Sequence, residues 1–106
     1  MEDHRKPLMA TGDPLPQPDV TGRYERCGEF GGESAYQLDG QDWFIWWDNQ
    51  ALTGGTQWVL SAALGGAVEP TDAWWVGSGF EFEFPVATDY IAEGTATGIV
   101  IISEIQ

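Results

Sequence analysis

Glycine, proline, aspartate and asparagine cut this chain into short apolar runs, and none of those runs repeats its apolar residues at helical spacing. That punctuation constrains the fold more than any other feature. Short runs rich in aromatic and β-branched residues, bounded by turn formers, read as strands. Here the runs are Gly22–Phe30, Ser34–Leu38, Asp42–Trp47, Thr56–Ala62, Ala73–Val76, Phe80–Phe84, Asp89–Glu93 and Thr97–Ile105. Gly31-Gly32 and Asp39-Gly40 separate the first three, the second pair reading as a two-residue hairpin turn. Gly54-Gly55, Gly65-Gly66, Pro70 and Gly77-Ser78-Gly79 mark later loops. Phe80, Phe82 and Phe84 alternate with Glu81 and Glu83, and Pro85 makes this run end there or lie at an edge. Ile99 to Ile102 is a continuous apolar run suited to burial on both faces. About eight short strands at this spacing predict an all-β fold, a small antiparallel β-sandwich or barrel.

Residues 1–20 differ from the rest. Pro7, Pro14, Pro16 and Pro18 fall here, and proline fixes φ and lacks a backbone donor. The stretch reads as an extended N-terminal arm, and residues 21–106 as a single β domain. Arg5 and Lys6 make the arm locally positive. Two readings stand side by side: a loose terminus, or an arm that lies on a neighbouring subunit.

A weak internal repeat runs through the body. Tyr24, Gly28 and Gly32 recur at the same spacing as Tyr90, Gly94 and Gly98, each set preceded by a threonine, Thr21 or Thr88. The physical reading is two equivalent hairpins, with Tyr packed near the start of a strand and Gly permitting a tight turn or bulge.

The charge is lopsided, at −13 overall. The four basic residues (Arg5, Lys6, Arg23, Arg26) all lie before Cys27, and twelve acids with no Lys or Arg follow. Such a surface repels phosphates, so nucleic acid is not the expected partner. It suits solubility, a basic partner or cation binding, or it is simply a solvated acidic face. No run reaches the length of a membrane span, and the N-terminus lacks the apolar core of a signal peptide. The expectation is a soluble chain made in the cytoplasm. The single cysteine, Cys27, allows no intrachain disulfide and reads as a small buried hydrophobe.

Little in the sequence suggests bond-making chemistry. The one histidine, His4, lies in the arm, where a base cannot hold a near-attack geometry. Glu81 and Glu83 share a strand face, as paired carboxylates would, but any half-exposed strand shows the same pattern. Gly28–Gly32 and Gly77–Gly79 lack the helix and Lys of a phosphate cradle. No cofactor is expected. Calcium is the one conceivable metal, with Asp39, Asp42 and Asp48 near loops, although their spacing matches no helix–loop–helix calcium motif. These readings give no enzyme.

The tryptophans pose the sharper question. In Trp46-Trp47 and Trp74-Trp75, neighbours point to opposite faces of a strand. One of each pair can fill a core. The other meets solvent, a second sheet or a partner, unless loop cover in a closed fold buries both.

Gly22-x-Tyr24, Gly28, Gly31-Gly32, Tyr36, the Trp43-to-Asp48 run, Trp58-Val59-Leu60-Ser61, Gly65, Trp74-Trp75 and Tyr90 to Gly98 follow one another in an ordered pattern. Over residues 21–103 this pattern resembles a class of small aromatic β-modules of phage-type virion structural proteins and some bacterial surface proteins. The resemblance implies a bacteriophage capsid decoration (cement) protein, a head fibre or a tail component, located in the virion. It carries no active site. The implied partners are the major capsid protein or other virion subunits, with symmetric self-association, trimers in particular. Expected contact residues are Arg5, Lys6, Trp46, Trp47, Trp74, Trp75, Phe80, Phe82 and Phe84. Two alternatives are a carbohydrate-binding module of a tail or cell-surface protein and an acidic mimic of nucleic acid.

Overall fold

The computed structural model describes residues 7–13, 15–50, 57–77 and 87–105, with the backbone alone for 87–89. Eight antiparallel strands, β1 (Leu8–Gly12), β2 (Gly22–Phe30), β3 (Glu33–Leu38), β4 (Phe44–Asp48), β5 (Gln57–Ser61), β6 (Ala73–Gly77), β7 (Ala87–Gly94) and β8 (Ile99–Glu104), form one closed barrel. Each strand pairs with the next in sequence, and β1 pairs with β8 to close the ring. No helix occurs among the described residues. Of the two architectures the sequence allowed, the chain therefore adopts the barrel. Closure removes the unpaired edges that a sandwich would leave.

The strand readings hold for β2 to β8 within a residue or two at each end. The Asp39-Gly40 turn is looser than predicted: Leu38 N–H bonds to the Trp43 carbonyl at 2.9 Å, leaving four residues between that pair. The Phe80–Phe84 run lies outside the described residues.

The arm is the main correction. Residues 8–12 form β1, which pairs with both β2 and β8 and supplies Leu8 and Ala10 to the core. The following stretch is also tied down. Gln17 and Thr97 exchange two backbone hydrogen bonds of 3.0 Å, and Pro16 and Val20 are buried. Proline density misled the reading because the prolines here flank the paired backbone instead of interrupting it: Pro7 precedes β1, and Pro16 and Pro18 bracket Gln17. Residues 1–6, including Arg5 and Lys6, lie outside the described residues.

Side chains alternate in and out along each strand. Inside, Tyr24, Tyr36, Trp58, Trp75 and Tyr90 meet Leu8, Ile45, Leu60, Val100 and Ile102 in one cluster. Val20 and Ala96 close the end where β2, β4, β6 and β8 begin. The Tyr24 hydroxyl donates to the Val20 carbonyl at 2.7 Å, tying that closing segment to the core. Both tyrosines of the repeat thus project inward and are fully buried, one in each of the hairpins β2–β3 and β7–β8. The second glycines of the repeat agree, Gly32 and Gly98 sharing φ values of +88° and +86°, whereas the first differ: Gly28 follows a bulge inside β2 with φ +153°, and Gly94 ends β7 with φ +60°. A Cβ at Gly98 would sit 2.6 Å from the Leu15 carbonyl oxygen, so only glycine lets the proline-rich segment close over it.

The bulge has a second effect. Before it, Tyr24 faces the interior; after it, Phe30 faces outward, opposite Glu33 and on the Ala35 side. One extra residue thereby moves an aromatic ring from the inner to the outer layer.

Candidate functional site

The outer surface of the barrel carries its own apolar layer. Ala35, Trp46, Val59 and Trp74, contributed by β3 to β6, form a second buried cluster against which Phe30, Phe44, Val68 and Val76 pack. Outward-facing side chains on a barrel normally meet water. Here the β5–β6 connection, residues 62–72, folds back over them.

A clamp holds that cover in place. Trp46 Nε1 donates to Ser61 Oγ at 2.9 Å, and Ser61 Oγ lies 2.8 Å from the Ala63 carbonyl and 2.7 Å from the Gly66 carbonyl, to one of which it donates. Ser61 thus satisfies a buried indole N–H and fixes the turn closed by Gly66 N–H to the Ala63 carbonyl. Phe30 stacks edge-on against Trp46, centroids 5.3 Å apart, and its ring lies directly beneath Gly65, leaving no space for a Cβ there. Further along, Trp74 Nε1 donates to the Glu69 carbonyl at 3.3 Å, and the Asp72 carboxylate accepts from Glu69 N–H at 3.0 Å.

This arrangement settles the tryptophan question for three of the four rings. Trp46 and Trp75 are 0 % exposed and Trp74 is 8 % exposed. Trp75 fills the interior, while Trp46 and Trp74 lie under the connecting loop. Loop cover, which the sequence left open, buries the outer ring of each pair, Trp46 and Trp74, and the strands themselves enclose Trp75. Trp47 is half-buried, packed on the interior cluster and edge-on to Trp58 at 5.5 Å. Phe80, Phe82 and Phe84, like Arg5 and Lys6, lie outside the described residues.

The register shows what composition hid. Trp46 pairs with Val59, Val59 with Val76, Val76 with Ile91, and Ile91 with Ile99. These five outward residues form a single cross-strand row over β4 to β8. Its first two members are sealed beneath the loop, Val76 is half-buried, and Ile91 is 42 % exposed. Leu15, 56 % exposed, belongs to the segment that crosses Gly98 beside Ile99. No local sequence signal announced this row, because its members lie far apart along the chain and only strand register joins them.

The remaining candidates disperse. Asp39 and Asp42 are exposed at one end of β4, while Asp48 is buried at the other, beyond the span that one ion bridges. Among the described residues, no three His, Cys, Asp or Glu side chains gather closely enough to hold a metal ion. Cys27 is exposed next to the β2 bulge, contrary to its expected burial, because the bulge turns it out of the ring. Local desolvation still raises its thiol pKa, which disfavours the reactive thiolate. It borders a shallow polar depression of about 270 Å³, lined by Glu25, Arg26, Gln37 and Asp39. His4, Glu81 and Glu83 lie outside the described residues.

The two described cations are engaged with acids. Arg23 Nε lies 2.8 Å from Glu25 and Arg26 lies 3.2 Å from Glu29, both on β2. From residue 57 to residue 105 the chain has no Lys or Arg. In comparisons with protein-family models, curated proteins and solved structures, the chain matches none of them.

Proposed function

We propose that this chain is a virion structural protein, a capsid decoration component that binds an outer shell through protein–protein contact and catalyses no reaction. One observation carries the reading: the barrel lumen is filled by Tyr24, Tyr36, Trp58, Trp75 and Tyr90 together with aliphatic side chains. Barrels that hold small ligands keep that space open. A filled barrel is a stiff body whose outer surface is left for contact. The ordered glycines and aromatics of residues 21–103, which resemble phage-type structural modules, agree with this role.

The carbohydrate-binding alternative fares less well. Sugar platforms need aromatic rings open to solvent, and Trp46, Trp74 and Trp75 are buried.

Co-purification tests the proposal. Particles from an infected host are banded on a density gradient and probed for the chain. It should travel with intact particles, and its loss by gene deletion should lower the temperature at which the shell opens. A chain found only in the soluble fraction, with unaltered particles, overturns the proposal.

A further inference from the structure

The outer row is unevenly treated by the fold, and that unevenness has a consequence. Trp46 and Val59 lie under a loop that uses two tryptophan N–H bonds and a serine clamp to stay in place. Val76, Ile91 and Ile99 continue the same row with less cover: Val76 and Ile99 are half-buried and Ile91 is exposed. Of the three exposed large hydrophobics among the described residues, Ile91 lies within this bare end, and the backbone of Leu15 crosses Gly98, the residue before Ile99. Scattered apolar residues need no explanation, but a register-aligned row flanked by another exposed leucine is a patch.

Its rim is acidic. Glu93 is exposed on the same face of β7 as Ile91, and exposed Asp13 donates its backbone N–H to the Ile99 carbonyl at 3.3 Å. Both described arginines are on β2, paired with Glu25 and Glu29. Across β5 to β8 the sequence supplies no positive charge. A second copy would set Glu93 and Asp13 against acidic groups of another chain of net charge −13.

We infer that Val76, Ile91 and Ile99, with Leu15 beside them, form a docking surface for a partner protein segment that is apolar at its centre and basic at its margin. The inference rests on the reading of the chain as a contact module and names the face and the partner chemistry. Burial of the row supplies affinity, and the Glu93 and Asp13 carboxylates steer and orient the cationic partner.

The probe is a synthetic peptide of alternating Lys and Val, titrated into the full chain and followed by backbone amide shifts. An alternating Glu–Val peptide and a Lys–Ser peptide of equal charge serve as comparisons. The Lys–Val peptide should bind most tightly, with shifts concentrated on 74–77, 90–93 and 98–101. Ile91→Asp should weaken it about tenfold or more, and Glu93→Lys about threefold, with at most a small shift in the unfolding midpoint. Equal binding of Lys–Ser or Glu–Val overturns the inference, as does undetectable binding of Lys–Val. If Lys–Val binds but is indifferent to Ile91→Asp, the face is wrong, whereas particle co-purification judges the contact-module reading separately. Self-association that Ile91→Asp abolishes would assign the face to a second copy and likewise overturn it.

Discussion

The barrel interior and its covered outer layer are equally dry yet are sealed by different means. Inside, Trp75 and Tyr90 are enclosed by the ring of strands itself, so the hydrogen bonds that close the barrel also exclude water. Outside, Trp46 is enclosed only because residues 62–72 fold over it and Ser61 holds them there. The difference separates two kinds of burial. Removing an interior ring attacks the barrel, while loosening the clamp exposes the outer layer and leaves the ring of strands intact. It also explains why an aromatic side chain pointing outward is a poor guide to a contact surface: accessibility was decided by a connection, not by a strand.

The largest effect is expected where the interior is opened. Trp75→Ala removes a fully buried indole and its 3.3 Å bond to the Gly98 carbonyl, and should cost about 3–5 kcal/mol in urea unfolding. A loss below about 1 kcal/mol would mean that the interior repacks freely, against its close-packed description. Ser61→Ala should cost about 1–3 kcal/mol, since it strands the buried Trp46 N–H. Its signature is spatial. Hydrogen exchange should accelerate at residues 62–72 and β4–β5, while β7–β8 amides keep their protection. Uniform acceleration would erase the distinction between the two layers.

A smaller effect is set by pH. Burial raises the Tyr24 and Tyr90 phenols above their ordinary pKa, so the folded state holds their protons more tightly than the unfolded state. The stability this gives is fully present below the unfolded value of about 10 and is lost as pH climbs beyond it toward the folded values. Urea midpoints should therefore fall above that pH. Tyr24→Phe should flatten the decline while costing about 1 kcal/mol at neutral pH through the lost bond to Val20. The smallest effect belongs to the bare end of the outer row. Ile91→Asp should shift stability by about 0.5 kcal/mol or less, because the side chain is already substantially hydrated. A loss of 2 kcal/mol would place Ile91 in the sealed layer and remove it from the comparison.

Local signals carried much of the fold. Gly31-Gly32 ends β2 where the sequence places the turn, and Tyr24 and Tyr90 mark two hairpins with their rings inward. The apolar run Ile99–Ile102 suggested burial on both faces, but only its inward residues Val100 and Ile102 are fully buried, Ile99 and Ile101 being half-covered on the outside. The candidate site was far less legible. Trp46 and Trp74 were expected to reach a partner and are instead sealed by the chain's own loop, while Ile91 passed unnoticed inside an ordinary-looking strand.

Sequence alone determined the class: turn formers at short intervals forbid long helices, and the alternation of apolar and polar residues fixes which side chains share a face. Tertiary structure decided closure, the inclusion of β1, and which outward side chains see water. Those outcomes depend on contacts between residues distant in the chain: β1 against β8, Gly98 beneath Leu15, Ser61 against Trp46. Local preference does not encode them, because each forms only once strand register has brought the partners together.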